Sequence, residues 1–125
     1  MLHNEVNKEN IHKMVLIFYK KILKDDLVGP FFIERLGDDL KNEKWIPHLE
    51  LLTNFWAFMA LGDSSYKGNP FAPHISMENL SREAFERWLD LFGETLDSVY
   101  TPEIAEQFKQ RSVGIAGNFM RNLGI

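Results

Sequence analysis

The chain has 125 residues, a formal net charge of −4 and an isoelectric point near 5.5. That length suits one domain around one core, residues 1–125. The acidic balance disfavours nucleic acid and anionic membranes, which are recognised by clustered basic side chains. With no cysteine there are no disulfides and no thiolate sites, so a transition metal would have to be held by nitrogen or oxygen. Residues 1–10 are polar, and no apolar run approaches the ~18 residues of a membrane span, so the expectation is a soluble cytoplasmic protein. Hydrophobic residues reach 45% and aromatics 13%, with ten Phe and three Trp. That is more bulky apolar material than an average small domain carries, and implies either a Phe-rich helical core or a core wrapped around something large.

Asn7 or Asn10 can cap a first helix in which Ile11, Met14, Val15, Phe18 and Ile22 recur at helical spacing, before Asp25-Asp26 and Gly29-Pro30 end it. Tyr19 lies on this helix and, taken alone, reads as a boundary tyrosine. Phe31 to Leu36 fits one or two tight turns closed by Gly37 and Asp38-Asp39, which puts Phe32 at a corner, where phenylalanines usually plug a core. The next helix carries Trp45, His48, Leu49, Leu52, Phe55, Trp56 and Met59, and Gly62 closes it. Pro47 is tolerated if this helix starts at about Glu43 or Lys44, because the first helical N–H groups have no internal partner. His48, Leu52, Phe55 and Met59 then form a stripe with the histidine at its entrance.

From Gly62 to Pro73 glycines, prolines and small polar residues spoil any long period, and the loop they form delivers His74. Ser81 is a candidate cap for a helix whose stripe runs Phe85, Trp88, Leu89, Phe92, Leu96 and Val99. Thr101-Pro102-Glu103 has the cap, first-turn proline and early acid of a last helix, with Ile104, Phe108, Ile115, Phe119 and Leu123 facing inward. Gly114 and Gly117, inside that helix, predict close approach of another backbone or of a flat cofactor. The class is therefore all-α.

Tyr19, Phe32, His48, His74 and Trp88 supply one of each part a haem needs: an imidazole for iron, an aromatic ring against the macrocycle, and polar groups on the opposite face. The wider order of features points the same way. Phe18-Tyr19, Gly29-Pro30-Phe31-Phe32, Trp45-x-x-His48, Asn54-Phe55-Trp56-Ala57, Pro73-His74 and Trp88-Leu89-x-Leu91-Phe92 follow one another at spacings that cover most of the chain. In this the sequence resembles the truncated haemoglobins of group III. The glycine-pair motifs of other truncated haemoglobins are missing, while the histidine at 48 and the tryptophan at 88 are present.

The resemblance implies a shortened globin fold, a two-over-two helical sandwich around a b-type haem. It implies His74 as the proximal iron ligand, Phe32 as the ring contact, Tyr19, His48 and Trp88 as the distal set, and Leu49, Leu52, Phe55 and Phe85 as apolar walls. Ala72-Pro73 places no basic side chain before His74, so the haem propionates need another partner, with Lys44, Lys67 and Arg82 as candidates. Bound oxygen draws electron density onto itself, and both the Tyr19 hydroxyl and the Trp88 indole can donate to it. The expected function is reversible binding of O2, CO or NO with high oxygen affinity, by a monomer. The alternative is a redox enzyme, a nitric oxide dioxygenase or a peroxidase-like catalyst turned over by a reductase. A haem-free helical interaction module is the third reading, and it predicts a colourless protein.

Overall fold

The computed structural model describes residues 2–61 and 81–124. The helices are α1 (Lys8–Lys24), α2 (Gly29–Leu36), α3 (Trp45–Leu61), α4 (Arg82–Val99) and α5 (Pro102–Leu123). Helix α1 is the spine, packing against α2, α3 and α4, while α4 also packs against α5. Among the described residues there is no strand, only an isolated bridge between His3 and Tyr100. None of the described helices is long and apolar enough to cross a membrane.

Both candidate cap residues of α1 are used, in a reciprocal box. The Asn7 side chain accepts from the Asn10 N–H at 2.8 Å, and the Asn10 side chain accepts from the Asn7 N–H at 3.1 Å. Asn10 is buried, and it also accepts from the Tyr100 hydroxyl at 2.8 Å, which ties the first turn of α1 to the end of α4. The stripe predicted from spacing, Ile11, Met14, Val15, Phe18 and Ile22, is buried in full, and Tyr19 joins it at 4% exposure.

One carboxylate organises the corner between α1 and α2. Asp25 accepts from the N–H groups of Leu27 and Val28 at 3.0 and 2.9 Å, and from Nε of Arg87 on α4 at 2.7 Å. Burial pushes its pKa up, but the bonds from Val28, Arg87 and Leu27 and the guanidinium charge outweigh that and hold it below the ordinary aspartate value. A carboxyl depressed in this way stabilises the fold above its unfolded pKa, and the contribution is lost as pH falls through the folded value. Asp25→Asn is therefore expected to cost about 1 kcal/mol at neutral pH, a difference that fades below about pH 4. Thermal unfolding of both proteins across that range measures it.

Glycine is required where α2 leaves this corner. A Cβ on Gly29 would sit 2.9 Å from the Ile22 carbonyl oxygen and 3.1 Å from that of Leu23. At the other end of α2, Gly37 has φ of 85°, a left-handed conformation that reverses the chain towards α3. Helix α3 begins at Trp45, slightly later than the spacing suggested, because Asn42 Oδ1 accepts from the N–H groups of Lys44 and Trp45 at 2.9 and 2.8 Å. Pro47 then falls in the first turn, where no N–H is needed.

Ser81 caps α4, accepting from the Ala84 N–H at 3.2 Å. Two expectations for α5 need correction. Thr101 makes no side-chain cap bond; instead its N–H donates to the His3 carbonyl, and Pro102 provides the pre-set first turn. For Gly114 and Gly117 the backbone half of the expectation fails: among the described residues a Cβ on Gly114 would meet nothing within 4 Å, and one on Gly117 only the tip of Arg121, at 4.0 Å. Phe108 and Phe119 are buried and Ile104 and Ile115 half-buried, while the Leu123 side chain lies outside the described residues.

Candidate functional site

Phe18 and Tyr19 are neighbours on α1, so their side chains leave the helix about 100° apart and serve different partners. Phe18 faces α4, edge-on to Trp88 at 5.2 Å and against Phe92 at 4.9 Å. Tyr19 faces the α2–α3 corner, with its ring centroid 5.5 Å from Phe32, 5.4 Å from Trp45 and 6.0 Å from His48. The structure thus gathers Tyr19, Phe32 and His48 from three helices.

Trp88 comes close to Tyr19 from α4, where its indole N–H favours the ionised phenol. Burial raises the Tyr19 pKa well above the ordinary tyrosine value, and Trp88 opposes that only in part. The hydroxyl therefore stays protonated. Since a phenol has one proton and two lone pairs, Tyr19 can take an N–H on a lone pair and still donate its own proton.

Helix α3 is apolar on more than one side. The face formed by Trp45, Leu49, Thr53, Trp56 and Ala57 is buried. Beside it runs the stripe expected to line the pocket: Phe55 is buried, whereas His48, Leu52 and Met59 are half-buried. Leu51 and Phe58 extend this second face and are 40% and 47% exposed. Sequence reasoning missed both, although each follows a stripe member, His48 or Phe55, by three residues. It also gave Trp45 no role of its own.

Leu49 and Phe55 belong to the main core, but Phe85 does not. It stacks on Phe119, with centroids 6.0 Å apart, in a second apolar cluster with Ala116. The walls implied by the resemblance thus come from two separate clusters. His74 and the loop before it lie outside the described residues, as does Lys67. His12 is exposed, with Nδ1 3.2 Å from Thr53 Oγ1, and His3 lies against Tyr100, so of the described histidines it is His48 that adjoins the aromatic group. Arg82 is exposed and pairs with Glu86 at 3.6 Å, and Lys44 is exposed. Among the described residues no cluster of three or more histidine or acidic side chains is placed to hold a metal ion.

Trp88, His48 and the buried Tyr19 thus converge beside a partly bare apolar helix face in a helical fold. The backbone matches the crystal structure of a group III truncated hemoglobin from Campylobacter jejuni with a TM-score of 0.90 and 38% sequence identity, over 98% of this chain and 95% of that one. The group 3 truncated hemoglobin ctb of the same organism is 38% identical over 123 residues, again covering 98% of this chain and 95% of the relative. No protein-family profile matches the chain. The chain belongs to the group III truncated hemoglobins.

Membership implies a haem cofactor, and the residues present fit one. The half-covered face of α3 offers an apolar surface where a macrocycle needs it, and the Tyr19–Trp88 pair offers hydrogen-bond donors within reach of the same region.

Proposed function

We propose that the protein binds O2, and likewise CO and NO, on a b-type haem ligated by His74, and that its distal side chains make oxygen binding tight. The observation that carries this reading is the gathering of Tyr19, Phe32 and His48 from three helices, with Trp88 close to the buried, protonated Tyr19 hydroxyl. When bound, the haem would be held by His74 and would supply an iron that takes a diatomic gas. The remaining work falls to side chains. Tyr19, kept neutral by burial, donates its proton to the ligand, and Trp88 strengthens that donation by polarising the phenol from behind. His48, at the start of α3, stands at the entrance, with Phe32, Leu49, Leu52, Phe55 and Phe85 as the apolar surround. A hydrogen bond to a charge-bearing ligand contributes about 1.5 to 3 kcal/mol, which slows release roughly ten- to a hundredfold.

The same pair of donors in series favours a second reading, oxygen or peroxide chemistry supported by a reductase. Donors aimed at developing negative charge assist such reactions as well as holding a ligand. An optical spectrum of the purified protein tests the common core of both readings. A haem absorption that shifts when the reduced protein meets CO supports them, and a colourless protein overturns them. Mixing the oxygenated protein with NO, and the oxidised protein with peroxide and an electron donor, then separates binding from turnover.

A further inference from the structure

We infer that Trp45 is the positioning residue of the distal site: it touches no ligand, yet it sets where Tyr19, Phe32 and His48 point. The inference rests on the haem reading above and adds to it a residue that the chemistry of ligand binding alone does not call for. Trp45 is fully buried. Its indole stacks on Phe32 with centroids 6.2 Å apart and planes at 25°, lies against Tyr19 at 5.4 Å, and meets the edge of His48 at 5.4 Å. Three side chains expected in the site, each on a different helix, thus share one contact.

The indole itself cannot turn freely. Its N–H donates to the Gly37 carbonyl at 2.8 Å, at the point where the positive φ of Gly37 ends α2. Its backbone N–H donates to Asn42 Oδ1 at 2.8 Å, while Asn42 Nδ2 donates to the Leu36 carbonyl at 2.8 Å. Side chain and backbone are therefore both pinned to the C-terminus of α2. An indole can stack on a neighbour and hold an in-plane hydrogen bond at once, whereas phenylalanine keeps only the stack and leucine keeps neither. With Trp45 fixed, the Tyr19 ring has one well-packed orientation.

The experiment compares wild type with Trp45→Phe, Tyr19→Phe and Phe108→Leu, all loaded with haem and saturated with CO. The C–O stretching band, which reports the polar field around the ligand, is recorded for each, together with thermal stability and the rate of oxygen release. Tyr19→Phe is expected to shift the band. Trp45→Phe is expected to broaden or split it and to speed oxygen release about tenfold, the equivalent of losing one well-aimed hydrogen bond, although Tyr19 and Trp88 are still present. Phe108→Leu, a cavity in the core away from this group, is expected to lower stability and leave the band alone. If Trp45→Phe lowers stability but keeps the wild-type band and release rate, its role is packing only and the inference is wrong. If Tyr19→Phe leaves the band unmoved, it is the distal reading that falls. Should Trp45→Phe fail to fold, Asn42→Ala, which loosens the hold on Trp45 without touching the rings, is expected to broaden the band, and an unchanged band then overturns the inference.

Discussion

His74→Gly is expected to lose most of its haem. The chain has four histidines and no cysteine, and His3 and His12 lie away from the aromatic group around Tyr19. The His3 ring lies beside Tyr100, centroids 6.3 Å apart; His12 is exposed beside Thr53; His48 packs edge-on against Trp45 and Tyr19. Loss of a supporting partner of a metal ligand typically weakens binding by 10- to 100-fold, so loss of the ligand itself is expected to exceed ~100-fold. Added imidazole should restore part of the binding, since it replaces the missing nitrogen without the chain. Haem content per protein after gel filtration, with and without imidazole, checks this. Full haem retention with an unchanged five-coordinate spectrum of the reduced protein would move the assignment to His48.

The second large effect concerns oxygen release. If Trp88 acts on the ligand through Tyr19, Tyr19→Phe should speed release by roughly ten- to a hundredfold and Trp88→Phe by a smaller factor. The double variant should then resemble Tyr19→Phe alone, because the Trp88 N–H has lost the hydroxyl on which it acted. Two donors that reach the ligand independently would instead multiply their effects. Stopped-flow release rates of the four proteins distinguish these outcomes, and single variants that both match wild type would return the pair to core packing. The motive is the closeness of Trp88 to Tyr19, in a setting where burial keeps the Tyr19 hydroxyl protonated. On the reading proposed above, a ligand held this way would be released slowly, which suits chemistry on the ligand or sensing of it better than delivery.

Much of the helical framework was legible in the sequence because its determinants are local. The buried stripe of α1, the Asn7–Asn10 box, the Ser81 cap and the first-turn Pro102 each depend on residues within a few positions of one another, and periodicity and capping chemistry capture that range. The ordered motifs from Phe18-Tyr19 to Trp88-Leu89 identified the family for a related reason: each is a short pattern, and their order along the chain is itself sequence information.

Tertiary structure decided what depends on distant partners. The apolar residues of α3 circle the helix, so spacing cannot tell which face meets the core; packing against α1 settles that, and leaves Leu51 and Phe58 beside His48 and Phe55. Gly29 and Gly114 look alike in sequence, yet one lies against the carbonyls of α1, because α2 runs close over α1, while among the described residues nothing approaches a Cβ on the other. The bonds from Arg87 to Asp25 and from Tyr100 to Asn10 join residues 62 and 90 positions apart. No local pattern encodes such pairs. Trp45 shows the same division: its apolar ring marked it for the interior, but its hold on Tyr19, Phe32 and His48 exists only once three helices meet around it, since a contact between side chains far apart in sequence is fixed by the packing of whole elements.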